Sequence, residues 1–342
     1  MQNELKASFA FLVVTYNHQD YILEHLESIK FLVQTYGAGI EVDLIISDDC
    51  SRDQTQFLVD QWLERNIGLF RHVNTLYNSK NIGTCKSVNN MLSHMLADRC
   101  KLTAGDDVYS FENIFELTQH GSDVAMVSGR ALYLLGDDLK LDRVSNILLT
   151  TTQLIYQNNT LLHRFKHFSY NNAPNLFYAS ECLMHTKVRL YLQQFDVVED
   201  WPLQVAMARE FPQHRLELLD KVLVYYRRTA GSTYIVANQR FVKDKIQMYD
   251  ELIKNETNII ERLRLSSRRF CFKSQNRWVN KFTNLDMYFF LTSFALKFFS
   301  IIKQESAVNL FVNQHQQHYA YIRSEALAVR KNLNEECCLE GA

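Results

Sequence analysis

The sequence predicts an α/β protein with a mostly parallel, Rossmann-like central sheet, helices on both faces of that sheet, and a helical C-terminal region. Short apolar runs of strand length alternate with amphipathic helical stretches through the first part of the 342 residues, which is typical of a parallel sheet. Only three prolines and ten glycines occur, which favours many helices joined by short turns. Beyond residue 238 the pattern is helical throughout.

The first strands and helices can be placed from hydrophobic periodicity. Residues 9–15 are continuously apolar, as in a strand buried on both faces, and further strands are predicted at 42–46, 69–76 and 99–103. Apolar residues recur every three or four positions at 21–33 and 84–97, which predicts two helices. A third helix is expected to open with a capping box, in which Ser51 is the N-cap and Gln54 reaches back.

The composition argues against several classes of protein. A net charge of −1 gives no general attraction to nucleic acid. The seven cysteines are scattered and lack a Cys-x-x-Cys pair, which argues against a zinc site and a secreted disulfide framework. The first eight residues are polar and lead directly into a strand, so we expect no signal peptide and a cytoplasmic location.

Two interpretations are open for the C-terminal region. An aromatic run at 287–302 follows a basic segment, and the two together are typical of helices at a membrane surface. The alternative is a helical bundle whose aromatic face packs on the main domain. The run is interrupted by Lys297, and we predict that it is too short to span a membrane. The basic residues are Arg262, Arg264, Arg268, Arg269, Lys273, Arg277 and Lys281.

Two adjacent carboxylates, Asp106 and Asp107, follow Gly105 at the end of the fourth predicted strand. Like charges side by side repel unless a cation lies beside them. Their oxygens suit Mg²⁺ or Mn²⁺, which commonly share their coordination shell with substrate phosphates. Because the carboxyl ends of parallel strands meet at one edge of a sheet, polar residues after the other strands should converge there, namely Asn17, Asp48, Asp49 and Asn81.

Five segments, in this order, resemble the motifs of a known family. They are 13–17 (VVTYN), 46–55 (ISDDCSRDQT), 81–83 (NIG), 105–107 (GDD) and 198–201 (VEDW). Together they resemble the family 2 glycosyltransferases of the GT-A fold, over about residues 8–232. The resemblance implies inverting transfer of a sugar from a nucleotide-sugar, usually a UDP-sugar, to an acceptor hydroxyl. It also implies Mn²⁺ or Mg²⁺ at the donor diphosphate.

The resemblance assigns roles on the donor side. Asp107 is the first choice for direct contact with the metal, and Asp106 would hold the ion and the ribose side of the donor. Asp49 would accept a hydrogen bond from the uracil ring, while Asp48 supports that turn and Tyr16 stacks on the base. The other nucleotide-binding candidates are Thr15, Asn17, Asn81, Lys86, Arg227 and Arg228.

Inversion requires a base on the face opposite the leaving group. By resemblance this base is Asp200, with Glu199 as its hydrogen-bonding or acceptor-binding neighbour, just before a helix that begins near Trp201. An acidic pair at a helix N-terminus has an alternative explanation, because it also compensates the helix dipole. Arg227 and Arg228 would offer positive charge to the leaving phosphates, or else are a pair of surface arginines.

Three residues depart from the family pattern. Ala104 stands where a third carboxylate is usual, so the ion would depend on the donor's phosphates to complete its shell. Val88 stands where an arginine is common, and Lys86 is the expected substitute. Thr229 stands where a histidine is common, which implies fewer protein ligands for the ion.

The predicted organisation is a GT-A domain at 1–237, a helical region at 238–331 and a disordered tail at 332–342. The domain would have a nucleotide-binding half at 8–110 and an acceptor half at 111–237. Expected partners are a nucleotide-sugar and a saccharide or lipid-linked acceptor of bacterial surface-glycan synthesis, and one interpretation adds peripheral contact with the inner membrane.

Other classes fit less well. The residues after Val14 lack the Gly-x-Gly-x-x-Gly of a dehydrogenase, and the chain lacks the Gly-Lys-Ser or Gly-Lys-Thr of a P-loop. A nucleotidyltransferase would share the acidic site but normally has a glycine- and basic-rich loop after the first strand. It stays an alternative, as does a catalytically silent sugar-binding relative of the GT-A enzymes.

Overall fold

The computed structural model describes residues 7–119, 121–171, 173–228, 239–274 and 276–340. The strands in this part of the chain are β1 (Ser8–Thr15), β2 (Glu41–Asp48), β3 (His72–Tyr77), β4 (Arg99–Ala104), β5 (Val108–Tyr109), β6 (Val124–Ser128), β7 (Leu132–Leu135), β8 (Asp138–Leu141), β9 (Leu176–Tyr178), β10 (Arg215–Leu218) and β11 (Val224–Arg227).

The helices in the same part of the chain fall into two groups. Those before residue 229 are α1 (Ile22–Tyr36), α2 (Thr55–Asn66), α3 (Thr84–Ser93), α4 (Ile114–Leu117), α5 (Arg143–Tyr156), α6 (Leu161–Lys166), α7 (Ser180–Met184), α8 (Thr186–Leu192) and α9 (Asp200–Glu210). Those after residue 238 are α10 (Gln239–Asn255), α11 (Ile259–Ser274), α12 (Arg277–Thr283), α13 (Leu285–Ala307) and α14 (Val312–Glu340). Two short 3-10 helices lie at Ile67–Leu69 and Ala173–Asn175.

The central sheet has the predicted parallel arrangement, with strand order β3-β2-β1-β4. Alternate residues of β1 point to opposite faces. Phe9 and Phe11 join a core with the apolar faces of α1 and α2, whereas Ala10 and Leu12 join a core with α3. Helices therefore cover both faces of the sheet, as the sequence predicted.

Two smaller sheets extend this core. One has the order β10-β6-β9 and the other β5-β11-β7-β8. β11 runs antiparallel to β5, with Val224 opposite Tyr109. Because β5 begins directly after Asp107, this pairing brings the end of β11, and with it Arg227, to the acidic turn.

The predicted capping box at Ser51 is wrong. Helix α2 begins at Thr55, with Gln54 at the N-cap position and no side-chain cap. The Ser51 hydroxyl instead donates to Asp48 Oδ2 at 2.5 Å. Asp53 forms the local turn, because its Oδ1 accepts from Thr55 N at 3.0 Å. The Ser51 oxygen, which would accept from the helix N-terminus in a capping box, accepts from Asn17 N instead, and its hydroxyl donates to a charged carboxylate, a stronger bond than one to a neutral acceptor.

The prediction of a disordered tail is also wrong for the part of the tail that the structure describes. Helix α14 continues to Glu340, and Leu333 is buried in the core that includes α1. The buried positions Ile322, Ala326 and Leu333 lie on one face of the helix, since they are separated by four and seven residues. This spacing was present in the sequence and extends past residue 332.

The prediction that the aromatic run is too short to span a membrane is also wrong. Helix α13 has 23 residues and, by length and composition, could cross a bilayer; only 17% of its most apolar 18-residue window is buried. At 1.5 Å per residue it is about 34 Å long. Helix α13 packs against α5 and α11. One side of the helix therefore packs on the rest of the chain, as the alternative interpretation, a helical bundle, predicted.

Candidate active site

The loops that follow β1 and β2 are joined by hydrogen bonds at one edge of the central sheet. Asn17 has a left-handed backbone, with φ of 55°. Its N–H donates to Ser51 Oγ at 2.8 Å, and its Oδ1 accepts from Arg52 N at 2.9 Å. Asp48 holds the second loop in turn, because its Oδ1 accepts from Ser51 N at 2.8 Å. This agrees with the supporting role predicted for Asp48.

Asp49 connects the β2 edge to the loop before α3. Its Oδ1 accepts from Ile82 N at 2.7 Å and its Oδ2 from Gly83 N at 3.0 Å. Asn81 donates from its side-chain amide to the Asp49 carbonyl at 3.4 Å. Gly83 has φ of +89°, and a Cβ there would lie 2.5 Å from the Asp196 carbonyl oxygen, so only glycine fits. The carboxylate predicted to read the base thus also fixes this loop.

Gly105 places the acidic turn directly against the loop after β1. A Cβ at Gly105 would lie 2.9 Å from Ile22 Cδ1 and 3.3 Å from His18 Nδ1. The His18 Nδ1 and Thr15 Oγ1 atoms are buried and make no hydrogen bond within the described residues. Buried polar atoms without partners are uncommon in proteins. They mark this junction as a place where a polar ligand can supply the missing bonds.

The two carboxylates of the turn differ in exposure. Asp107 is only 2% exposed, and its Oδ1 accepts from Arg227 N at 2.9 Å. Burial, and then the charge of Asp106, raise the pKa of Asp107 well above its ordinary value. Asp106 is half-buried. Asp106 is therefore more open to a ligand than Asp107, the residue predicted to make the direct contact with the metal.

The two arginines at the end of β11 point in different directions. Arg227 is buried; its Nε donates to the Asp106 carbonyl at 2.7 Å, and its Nη2 pairs with Glu24. Arg228 stacks over the Tyr133 ring at 3.5 Å, with Asp142 at 3.9 Å. The structure brings Arg227 to the acidic turn and places Arg228 on the β7 side. Thr229, one of the three departures, lies outside the described residues.

The second acidic pair opens helix α9, as predicted. Asp200 is its first residue, and Glu199 is the N-cap residue; both are half-buried. The Oδ1 atom of Asp200 accepts from Trp201 N at 2.7 Å. Burial, and then the charge of Asp200, raise the pKa of Glu199 to about 7.

A buried lysine feels charge from both acidic pairs. Lys101, in the middle of β4, donates to the carbonyls of Leu102 and Leu176 at 2.7 and 2.9 Å. Burial lowers the pKa of Lys101 to about 7, while the charges of Asp107 and Glu199 act in the opposite direction. One carboxylate of each pair is thus near enough for its charge to act on the same ammonium.

Helix α10, from the region predicted to be a separate C-terminal part, holds the loop that carries Glu199. The buried Asp244 accepts three backbone N–H groups on its Oδ2, from Asp196, Val197 and Val198, at 3.0, 2.8 and 3.1 Å. Lys245 lies 4.7 Å from the Trp201 ring centre, near the charges of Asp200 and Glu199.

A second bridge from α10 joins the donor and acceptor loops. Arg240 makes a bidentate contact with Asp196, at 2.5 and 2.6 Å, and donates to Asn81 Oδ1 at 3.1 Å. Tyr16 and Lys86 are exposed at the same edge. Lys86 lies in the first turn of α3, close enough to Asp196 for its charge to lower the pKa of that carboxyl.

Several of these residues were not predicted from the sequence. Lys101 carried a detectable signal, because a lysine inside an apolar strand must be paired or functional. Glu24, Arg240, Asp244 and Lys245 carried none, since each is a charged residue on an ordinary amphipathic helix. Their roles depend on contacts between residues far apart in the chain.

One family of known proteins matches a large part of the sequence. Residues 10–177 match the model of the family described as Glycosyl transferase family 2. This part of the chain belongs to the family 2 glycosyltransferases. The matched stretch runs from within β1 to within β9 and includes both Asp48–Asp49 and Asp106–Asp107. The protein is therefore a glycosyltransferase and not a nucleotidyltransferase. No curated protein matches the chain in sequence.

The structure is similar to those of S. aureus TarS. TarS 1-349 in complex with UDP-GlcNAc is 18% identical, with a TM-score of 0.53 over 97% of this chain and 92% of that one. The complex with UDP is also 18% identical, with a TM-score of 0.53 over 80% and 74% of the two chains. TarS 1-349 alone gives a TM-score of 0.54. At this identity the likeness concerns the fold, and the predicted GT-A fold is confirmed.

Proposed function

We propose that this glycosyltransferase moves the sugar of a UDP-sugar, with inversion, to a hydroxyl of a saccharide or lipid-linked acceptor. Its role would be in bacterial surface-glycan synthesis, at the cytoplasmic side of the membrane. The observation that carries the proposal is that Arg240 joins Asn81, on the donor side, to Asp196, in the loop that leads to Glu199. The structures of TarS with UDP and UDP-GlcNAc support a uridine nucleotide as the donor.

On the donor side, the loops after β1, β2 and β3 would form the nucleotide pocket. Tyr16 is exposed and would stack on the base, while Thr15 and Asn17 shape the edge beside it. Asp49 holds the Asn81–Gly83 loop and has lone pairs left for the uracil, because each carboxylate oxygen can accept more than one hydrogen bond. Lys86 would add positive charge near the phosphates.

The donor set of the acidic turn fits a divalent cation. Two carboxylates lie side by side, the pKa of Asp107 is raised by burial and by the charge of Asp106, and oxygen ligands are those that Mn²⁺ and Mg²⁺ prefer. We assign the main contact to Asp106, because it is the more exposed, with Asp107 as its buried neighbour. A bound ion would stabilise the charge that grows on the diphosphate as the sugar leaves.

On the acceptor side, Asp200 would remove the proton of the attacking hydroxyl. The acceptor oxygen then bonds to the anomeric carbon from the face opposite the UDP, the bond from that carbon to the phosphate oxygen breaks, and the UDP carries away the electron pair. Glu199 would bind the acceptor or tune Asp200, since a carboxyl with a pKa near neutrality suits acid-base work. Arg227 would add positive charge beside Asp106.

The experiment that tests the proposal is a donor screen. The enzyme is incubated with Mn²⁺, a panel of UDP-sugars and, separately, GDP- and TDP-sugars, and the products are identified by mass spectrometry. Calorimetry with UDP and Mn²⁺ measures binding independently of turnover. We expect UDP to bind and at least one UDP-sugar to be consumed. Consumption of only GDP- or TDP-sugars would refute the assignment of the donor, and a chain that binds no nucleotide would be the silent relative.

A further inference from the structure

Three of the four charged residues of helix α13 lie on the side that faces the protein. Asp286, at its N-terminal end, accepts from Arg264 at 2.7 Å and from His167 at 3.0 Å. Lys297, near the middle, donates to the Leu154 carbonyl at 2.6 Å. Glu305, near its C-terminal end, pairs with Arg130 at 3.1 Å. These three positions lie on one face, and they fix the helix along its length.

The opposite face of α13 is apolar and faces outward. Leu296 is 83% exposed and Phe299 87%. The neighbouring helix α12 continues the surface with Trp278 and Phe282, and Tyr288 links the two helices by donating to the Lys281 carbonyl at 2.7 Å. The other exposed members are Phe289, Leu291, Phe298 and Ile302. Exposed apolar side chains grouped in this way, on a helix that directs three of its four charged residues inward, indicate that something apolar covers this face.

The same part of the chain is strongly basic. Between residues 262 and 304 the sequence has nine Lys and Arg residues and a single acid, Asp286, which is buried and paired with Arg264. Lys273, Lys281 and Lys303 are exposed around the apolar surface. Cations flanking exposed aromatic side chains are complementary to a surface that is apolar inside and negatively charged outside.

We infer that the outer face of α12 and α13 binds an anionic lipid bilayer, with the helices lying in the plane of the interface. A spanning α13 would have to leave its partners and carry Asp286, Lys297 and Glu305 into hydrocarbon, which is costly. A second copy of this chain is a poorer occupant, because two such basic surfaces repel each other across a symmetric contact. The inference concerns a surface separate from the acidic turn and goes beyond the proposed transfer reaction.

The position of this surface also links it to the acceptor side. Helix α13 packs on α11, and α11 packs on α10, which holds the loop before Glu199 through Asp244. A bilayer on α12 and α13 would thus lie on the same helical layer that supports the proposed base. This last step rests on the proposed function, whereas binding to the bilayer does not.

The test is flotation of the full chain with vesicles, measured without substrate. Vesicles of phosphatidylcholine with phosphatidylglycerol are compared with phosphatidylcholine alone, at low and high salt. The apolar face is tested with the double variant Leu296→Glu/Phe299→Glu, and the cations with Lys273→Glu/Lys281→Glu. Leu96→Glu is the matched control, because Leu96 is 74% exposed but lies outside this surface. Circular dichroism and UDP binding check that each variant is folded.

We expect binding to the anionic vesicles that weakens with salt and falls by about tenfold or more in both double variants, with the control unchanged. Equal flotation of Leu296→Glu/Phe299→Glu and the unaltered chain would overturn the inference, as would the absence of flotation. The inference would also be overturned if light scattering showed a dimer of the unaltered chain, but no dimer of Leu296→Glu/Phe299→Glu, and neither protein bound vesicles. Each readout is independent of turnover, so a failed donor screen leaves this test intact.

Discussion

Lys101 is a buried cation in strand β4, and its ammonium donates only to backbone carbonyls. Burial lowers the pKa of Lys101 to about 7, and the charges of Asp107 and Glu199 act in the opposite direction. Such an arrangement costs folding free energy and is typical of functional sites, which is why we place the chemistry here.

The two residues of the acidic turn should respond differently to neutralisation. Asp106→Asn removes the more exposed carboxylate and should weaken Mn²⁺-dependent UDP binding by about tenfold or more. Asp107→Asn should weaken it too, but should leave the melting temperature of the metal-free protein unchanged or higher. The reason is that the folded-state pKa of Asp107 is raised, so its ionisation opposes folding at neutral pH.

Calorimetry and thermal unfolding, each with and without Mn²⁺, measure these effects. A large loss of metal-free stability in Asp107→Asn would show that its charge supports the fold. Undiminished Mn²⁺-dependent binding in Asp106→Asn would show that this carboxylate is not a ligand.

Glu199 predicts the pH dependence of the reaction. Its folded pKa is raised to about 7, so it is protonated below that pH and ionised above it. Ionisation adds a negative charge that attracts the proton leaving the acceptor hydroxyl. The rate should therefore rise with pH through about 7, and Glu199→Gln should flatten this rise while keeping measurable activity. This pH dependence is measured as the rate at saturating donor from about pH 5.5 to about pH 8.5. Complete loss of activity in Glu199→Gln would assign the base to Glu199 instead.

At the residue scale, the sequence was sufficient where two carboxylates are adjacent in the chain. Asp106–Asp107 and Glu199–Asp200 could be identified because each pair is local and follows a strand or opens a helix. The ranking within the first pair was not predictable. It depends on which carboxylate meets Arg227 N, and that contact joins residues 120 positions apart.

At the scale of elements, helix α10 holds the loop that precedes the proposed catalytic pair. Three N–H groups converge on one oxygen of Asp244, and Arg240 bridges Asp196 to Asn81. Together they fix the loop that presents Glu199 and join it to the donor side. The predicted domain boundary at 237/238 stays a prediction, but a chain cut there would lose both contacts.

Replacement of Asp244 tests this supporting role. Asp244→Ala leaves three N–H groups without their acceptor and should cost about 2 kcal/mol of unfolding free energy. It should lower kcat by about tenfold or more, since displaced catalytic groups lose orientation, with little change in UDP affinity. Asp244→Asn should have a stability and a kcat between those of the unaltered enzyme and Asp244→Ala, because its amide oxygen can still accept hydrogen bonds. Lys254→Ala, an exposed change on the same helix, is the control.

Denaturant unfolding and steady-state kinetics separate the two effects. If Asp244→Ala lost UDP affinity and kept kcat, the helix would support the donor pocket rather than the acceptor loop.

Element boundaries were predictable from periodicity but not from capping. The strands at 9–15 and 42–46 correspond to β1 and β2, and the parallel order follows from alternation of strands and helices. The capping box failed because Ser51 has a charged acceptor, Asp48, three residues before it. Local sequence rules cannot tell which of several hydrogen-bond partners a side chain will use when the fold brings a competing partner close to it.

At the scale of the whole molecule, the C-terminal helices are integrated with the catalytic part. Helix α14 packs along α1, and its Tyr319 donates to Glu24 at 3.0 Å. Glu24 in turn holds Arg227 beside the acidic turn. The sequence predicted a helical region here but not these contacts, because a long amphipathic helix does not reveal which surface it covers.

In the proposed reaction, Asp200 deprotonates the acceptor while the acidic turn holds the nucleotide-sugar. Its most direct test is UDP release from the best donor of the screen, with acceptor and Mn²⁺, by the unaltered enzyme and Asp200→Asn. We predict that the variant loses activity by about a hundredfold or more and keeps its affinity for UDP. Equal release by the two proteins would contradict the assignment of the base, and so the account of this site.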